Sequence, residues 1–392
     1  MMKLAIRHAS PVTLNIVAKV FPRNEQIVMK AGAFCCSPKE LRIRLTHELH
    51  SSRPYGKNIH VILPCIRCKR QEKTIPRTRA PTAPCMNKFN TTPFADAFRA
   101  SMPLPATLDP HLEEALRHVL DNPGSLVRPR MVFQAATAYG MDSAHAKDLA
   151  IALEYFHTAS LLFDDLPCMD NASERRGVPC VHLAYGEAGA ILAALALINR
   201  AYALTWRAVS ASSSQSQSCA LAYIEQCLGV EGLLNGQSLD LHYSTLPHNR
   251  ETTERIARGK TVSLIRLTLV LPAMLGGAST REIQLLERVA LYWGLGYQMV
   301  DDLKDVLGSA AAAGKTVARD ILLDRPNVAF AMGIPGTVLR LTRFIYLGDT
   351  TLHRLLKSRP GLSFLGKLRS DLEEELVRVT ENVIEKTMGA HP

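Results

Sequence analysis

The chain has 392 residues, 47% of them hydrophobic, and a formal net charge of +10. Residues 1–85 hold 16 Lys and Arg against 4 Asp and Glu, whereas the remainder holds 30 against 32, so the basicity is confined to the first fifth. That distribution excludes a chain-wide nucleic-acid surface, and a body of about 300 residues can bury about 75% of its unfolded surface as one large domain.

The nine cysteines divide in the same way, with Cys35, Cys36, Cys65, Cys68 and Cys85 early and Cys168, Cys180, Cys219 and Cys227 in the body. Their spacing does not make a disulfide framework, and no run reaches the eighteen or so apolar residues that span a membrane. The run Ile191–Ile198 is cut off by Asn199 and Arg200. A soluble chain in a reducing compartment, the cytoplasm, is expected, with no transmembrane segment.

Residues 1–90 mix short apolar runs with a basic, proline-punctuated tail. Cys65-x-x-Cys68, with Cys35, Cys36 and nearby histidines, could be drawn as a zinc site, but a single C-x-x-C pair is weak evidence for one. A basic targeting peptide is a second reading, weakened by the prolines and by the lack of a sustained amphipathic pattern. The preferred reading is a poorly ordered extension, with a true start at Met86 as one form of it. Residues 91–392 form the expected second domain.

From about Pro110 onward the apolar residues recur at helical spacing. The segments "HLEEALRHVL", "AKDLAIALEYFHTASLLF", "AILAALALINRAYALTW", "ALAYIEQCLGVEGLLNGQSLDL", "TERIARGKTVSLIRLTLVLPAMLGG" and "REIQLLERVALYWGLGYQMVDDLKDVL" follow in chain order. The polar stretch Ser210–Cys219 reads as a loop between two of them. The body is therefore expected to be all-α, with ten or more helices and several nearly all-apolar ones at its centre.

Two acidic clusters interrupt this pattern. The first is Asp164, Asp165 and Asp170, followed by Arg175 and Arg176; the second is Asp301, Asp302 and Asp305. The i,i+3 and i,i+4 spacings of the second place its acids on one helical face. Like charges at that spacing destabilise a helix, and the helix dipole disfavours anions near a C-terminus. A cation must offset this, and hard carboxylate oxygens suit Mg²⁺ shared with substrate phosphates. Pro167 must bend the chain after Asp165, which lets Asp170 return toward Asp164. Arg175 and Arg176 offer bidentate donors to phosphate. Lys260, Thr261, Gln298 and Lys315 stand nearby in otherwise helical context.

With these motifs in this order, the chain resembles the class I trans-isoprenyl diphosphate synthases, the polyprenyl synthetases. "DDLPCMDNASERRG" is similar to the family's first aspartate-rich motif and "YQMVDDLKD" to the second, with "NGQSLDL", "GKTVSLI" and "GKTVARD" in the expected order. The resemblance implies an isoprenoid-synthase-type bundle around a central cavity and a homodimer. It also implies Mg²⁺, three ions per site with Mn²⁺ able to substitute, held by Asp164, Asp165, Asp170, Asp301, Asp302 and Asp305. Arg175, Lys260 and Lys315 would hold the allylic diphosphate, while Thr261 and Gln298 would face the developing carbocation. The second diphosphate, that of isopentenyl diphosphate, would meet Arg128, His157 and Arg176.

The chain departs from the family at Ser125 and Leu126, where a lysine and an arginine are usual. Losing one such cationic contact costs about 1.5–3 kcal/mol, roughly ten- to hundred-fold in affinity. A terpene synthase that ionises one diphosphate is therefore an alternative to a prenyltransferase, and a non-catalytic subunit is a third reading. The small Ala159 and Ser160, about 7.5 Å of helix before Asp164, resemble the pocket floor of bacterial geranylgeranyl diphosphate synthases. They imply a twenty-carbon product.

Overall fold

In the computed structural model the chain divides into two units, Met1–Met86 with Thr387–Pro392, and Asn87–Lys386. The structure describes residues 3–8, 13–20, 25–37, 40–48, 59–64, 92–307 and 325–388. Cys65, Cys68, Met86, Lys315 and the "GKTVARD" motif lie outside them.

The first unit carries strands β1 (Lys3–His8), β2 (Thr13–Val20), β3 (Glu25–Ser37), β4 (Glu40–Glu48) and β5 (Ile59–Pro64). They form an antiparallel meander in the order β1-β2-β3-β4-β5, with a register shift between Cys35 and Ser37. A poorly ordered extension was expected here. The alternation of Leu4 and Ile6, Leu14 and Ile16, and Ile43 and Leu45 supplies the period-two pattern that such strands need.

Among its described residues the second unit is all-α apart from one short hairpin. Its helices are α1 (Thr92–Ala100), α2 (Pro110–Asp121), α3 (Val127–Ala138), α4 (Ser143–Asp164), α5 (Val181–Ser210), α6 (Ser214–Leu228) and α7 (Leu233–Leu241). There follow α8 (Arg250–Ala257), a π-helical turn (Arg258–Val262), α9 (Ser263–Leu275), α10 (Thr280–Leu307), α11 (Val328–Met332), α12 (Ile334–Ser358) and α13 (Leu365–Met388).

Local chemistry sets several helix starts. Asp109 caps α2 by accepting from the backbone N–H of His111 at 3.1 Å and Leu112 at 3.2 Å, with Pro110 in the first turn. Asp142 caps α4 through Ala144 and His145. The expected loop at Ser210–Cys219 shrinks to three residues, because Ser213 accepts from the Ser216 N–H at 3.3 Å and starts α6 there.

α4 runs through the middle of the bundle. Leu149, Ile151 and Tyr155 have no exposure, and each fully buried Leu or Ile contributes about 1.5–3 kcal/mol. Ala193, Ala194 and Ala201 of α5, equally buried, keep the packed face of that helix slim. By length and composition α5 is apolar enough to cross a membrane, yet its inner face, including Leu197 and Leu204, is fully buried in the bundle.

Two glycines allow α7 to cross the π-helical turn. A Cβ on Gly236 would lie 2.4 Å from the Lys260 backbone nitrogen, and one on Gly259 would lie 2.6 Å from the Gly236 Cα. This backbone contact fixes where Lys260 and Thr261 stand.

Candidate active site

A cavity of about 1010 Å³ opens among α3, α4, α5, α7, the π-helical turn and α10. Its first wall is the end of α4 and the bend that follows. The Asp170 N–H donates to the Asp164 carbonyl at 2.9 Å, and the Asn171 N–H donates to the Leu166 carbonyl at 3.0 Å. Asn171 adopts φ 48°, a left-handed conformation asparagine tolerates. The six-residue gap between Asp164 and Asp170 thus closes on itself after Pro167.

Two cations are threaded through these acids. Lys260 Nζ lies 2.9 Å from Asp240 Oδ2 and 3.9 Å from Asp164 Oδ2. Arg325 donates to Asp170 Oδ1 at 2.7 Å and to the Met169 carbonyl at 2.9 Å, and stands 3.8 Å from Asp240. Burial pushes the Asp164 carboxyl up to about 6; Lys260 opposes the rise, while Asp170 and Asp240 add to it. Burial would by itself lower Lys260, but Asp164 and Asp240 outweigh it and hold the ammonium above its usual range.

Asp165 is engaged elsewhere. Arg175 grips both of its oxygens, its Nε donating at 3.1 and 3.2 Å and its Nη2 closing the pair. The grip depends on the hairpin of β6 (Glu174–Arg175) and β7 (Val178–Pro179). Its turn residues Arg176 and Gly177 both have positive φ, 58° and 81°, as a two-residue hairpin loop prefers.

A second wall comes from α10. Gln298 accepts from Thr261 Oγ1 at 2.7 Å and donates to Asp302 Oδ1 at 2.9 Å. Asp301 lines the cavity beside Tyr297, whose hydroxyl its charge pushes above the usual range. Asp302 is 3% exposed, and its other oxygen accepts from the Val328 N–H at 2.7 Å at the start of α11.

A third, basic wall lies between α3 and α4. Arg128, Glu154, His157 and Arg176 all line it. Arg176 donates to the Asn122 carbonyl at 2.8 Å and stands 3.7 Å from Glu154. Gly124 is needed here, because a Cβ would come within 2.6 Å of Arg176 Nε. Burial pushes Glu154 up to about 7 against the pull of Arg128 and Arg176. Burial, together with Arg128, Arg176 and Arg175, pushes His157 down to about 2, so the ring is neutral, with a buried Nδ1 lacking a partner.

Residues 109–335 match the family model described as polyprenyl synthetase. The chain belongs to that family, and with it to the prenyltransferase enzymes. It is 36% identical over 245 residues to geranylgeranyl pyrophosphate synthase 9, chloroplastic, of Arabidopsis thaliana, covering 62% of this chain and 68% of that one. It is also 36% identical to the chloroplastic geranylgeranyl pyrophosphate synthase of Capsicum annuum, covering 58% and 62%. The chain thus spans about two thirds of the length of these relatives. Among solved structures it is similar to the Helicobacter pylori geranyltransferase complexed with magnesium and isoprenyl diphosphate. That match has a TM-score of 0.64 at 26% identity, over 72% of this chain and 95% of that one.

The polyprenyl synthetase cavity gathers Asp164, Asp301, Lys260, Thr261, Gln298, Arg128, His157, Arg175, Arg176 and Ser160. Of the six acids of the two clusters, Asp165, Asp170, Asp302 and Asp305 do not line it. A step of one residue turns about 100° around a helix, which carries Asp302 toward α11, and Asp305 Oδ2 is buried without a partner. Ala159 does not line the cavity either; it is 1% exposed in the core. Phe156, His157, Ser160, Leu161, Phe163 and Asp164 define the lining side of α4, and Ala159 points about 120° from its middle.

Asp240, Arg325 and Glu154 escaped the sequence reading. Asp240, the one acid of "NGQSLDL", could have been noticed as a charge on an otherwise uncharged helix. Arg325 gave no signal, since no periodic pattern ties it to the first acidic cluster.

Among the described residues no three His, Cys, Asp or Glu side chains converge into a ready-made metal cage. Mg²⁺ needs none, because it binds through one or two carboxylates and completes its shell with water and substrate phosphate. Asp164 and Asp301, which line the cavity, fit that mode, and the raised Asp164 carboxyl is an acid that a cation would relieve. Asp165, Asp170 and Asp302, committed to Arg175, Arg325 and α11, fit it only if those contacts open.

Proposed function

We propose that the chain condenses isopentenyl diphosphate with an allylic diphosphate, farnesyl or shorter, to give geranylgeranyl diphosphate. The observation that carries this reading is one cavity lined by Asp164 at the end of α4, by Asp301 of α10 and by the basic residues Arg128, His157 and Arg176. Asp164 and Asp301, with Asp170 once Arg325 releases it, would hold Mg²⁺, three ions with Mn²⁺ able to substitute. When bound, the metal supplies charge neutralisation and Lewis acidity to the departing diphosphate.

The protein's own groups do the rest. Lys260, Arg175, Arg325 and Lys315 bind diphosphate oxygens as it leaves. The Thr261–Gln298 pair, linked at 2.7 Å, turns oxygen dipoles toward developing positive charge. Arg128, Arg176 and neutral His157 bind the second diphosphate, His157 through an N–H that carries no net charge. The apolar walls exclude water from the carbocation.

The named relatives are geranylgeranyl pyrophosphate synthases, which supports the twenty-carbon product. The exposed apolar residues Leu192, Leu195 and Trp206 on α5, each 51–54% exposed, support a homodimer through that helix. The sequence reading places the protein in the cytoplasm; the chloroplastic relatives make a plastid the alternative, and a fluorescent fusion of the full chain separates the two.

The test is product analysis with Mg²⁺, isopentenyl diphosphate and each allylic starter. Incorporation of isopentenyl units, lost in Asp164→Ala, supports the proposal. One observation favours a second reading: Ser125 replaces a cation at the basic wall, and Leu126 is buried with φ 50°. Release of hydrocarbon or alcohol from geranylgeranyl diphosphate alone would establish a terpene synthase instead.

A further inference from the structure

The basic wall contains one acid that binding a diphosphate does not call for. Glu154 of α4 is 3% exposed and lines the cavity with Arg128 and His157. Its Oε1 stands 3.7 Å from Arg176 Nη2, and its Oε2 is buried with no hydrogen-bond partner. A buried carboxylate oxygen without a donor costs free energy, and this one borders the place proposed for a second anion. Two anions at short range in a poorly hydrated wall raise each other's affinity for a proton.

The groups around Glu154 come from three elements. Arg128 belongs to α3, Arg175 and Arg176 to the hairpin, and His157 to the next turn of α4. Arg175 is occupied by Asp165 and the buried His157 ring is neutral, so Arg128 and Arg176 are the cations that act on the carboxylate. Burial works against the charge of Arg176, as do Arg175 and Arg128, and Glu154 is the foremost neighbour that supports it. An arriving diphosphate can take over that support. Arg176 Nη1 stays tied to the Asn122 carbonyl at 2.8 Å, so the guanidinium keeps its place while its Nη2 edge turns from Glu154 to the new anion.

We infer that Glu154 is the resident counter-ion of Arg128 and Arg176 and is replaced by the second diphosphate. One proton passes from the solvent buffer to Glu154 Oε2 as that diphosphate binds, and the neutral acid donates its O–H to a diphosphate oxygen. This rests on the proposed condensation and adds a proton to the binding of its second substrate. The wall gains a neutral donor beside Ser125, which lines the cavity without a charge. Burial has already pushed Glu154 up to about 7, so at pH 8 the free carboxyl is about nine-tenths ionised and ready to take up the proton.

Isopentenyl diphosphate is titrated calorimetrically into the full chain in EDTA at pH 8, once in HEPES and once in Tris, buffers that absorb different heats on giving up a proton. The difference in binding heat counts the protons taken up. Wild type and His157→Gln are expected to take up about one proton; Glu154→Gln, with its helical melting checked by circular dichroism, should take up none. The wild-type Kd should also rise about eightfold from pH 7.5 to 8.5, a slope that needs no variant, whereas that of Glu154→Gln should stay flat. Binding without proton uptake, or equal uptake in Glu154→Gln, overturns the exchange and leaves the second diphosphate at the basic wall. Uptake lost in His157→Gln alone gives the proton to the imidazole and overturns it as well. If wild type binds no isopentenyl diphosphate, the second-substrate reading of this wall falls too.

Discussion

His157 makes the basic wall sensitive to acid in a way that can be measured without substrate. Its ordinary value is 6.5, and in the folded chain burial among Arg128, Arg176 and Arg175 pushes it down to about 2. The unfolded chain therefore takes up a proton below pH 6.5 that the folded chain refuses until near pH 2. Protons bind more to the unfolded state in that window, so stability falls as pH falls. At pH 5 the unfolded ring sits 1.5 pH units below its midpoint, and at about 1.36 kcal/mol per unit the loss relative to pH 8 is about 2 kcal/mol. Glu154 acts in the opposite sense. Its raised value of about 7 lets the folded chain gain a proton first, but that contribution is common to wild type and to a His157→Gln variant. The difference between the two chains isolates the histidine. Melting followed by helical circular dichroism at pH 8 and pH 5, without ligand, should show wild type losing about 2 kcal/mol more than His157→Gln. Equal losses would mean that the folded ring accepts the proton and that the arginines do not surround it as described.

Four further expectations follow. Gly236→Ala places a methyl 2.4 Å from the Lys260 backbone nitrogen, where neither chain can yield cheaply; it should cost about 1–3 kcal/mol and, by displacing Lys260, also reduce turnover. Asp302→Ala leaves the Val328 N–H and the Gln298 amide without their acceptor and should lower stability by about 1–3 kcal/mol. Asp301→Ala should abolish isopentenyl incorporation, and a variant that keeps wild-type incorporation would refute the place of Asp301 on the metal-holding wall. Chelation with EDTA should stop incorporation and added Mg²⁺ should restore it, with Mn²⁺ restoring part. Incorporation that survives EDTA would contradict metal-held diphosphate at Asp164 and Asp301.

The contrast between Asp301 and Asp302 indicates what a sequence pattern can and cannot carry. The all-α body was legible because apolar residues recur at three and four positions over long segments, and the return of Asp170 was legible because Pro167 forbids the helix to continue. Both are local consequences of backbone chemistry. What each acid faces is decided by partners distant in sequence. Asp302 turns to the N-terminus of α11, 26 residues on, and Asp165 is claimed by an arginine that reaches it only because Arg176 and Gly177 take left-handed conformations. Arg325 joins Asp170 across 155 residues, with nothing in either segment to announce the meeting. The same limit explains Ala159. Counting residues back from an aspartate gives depth along the helix axis but not direction around it, and a shift of one position rotates a side chain by about 100°. Depth and direction together place Phe156 on the cavity, and only the approach of α5 brings Tyr202 against it.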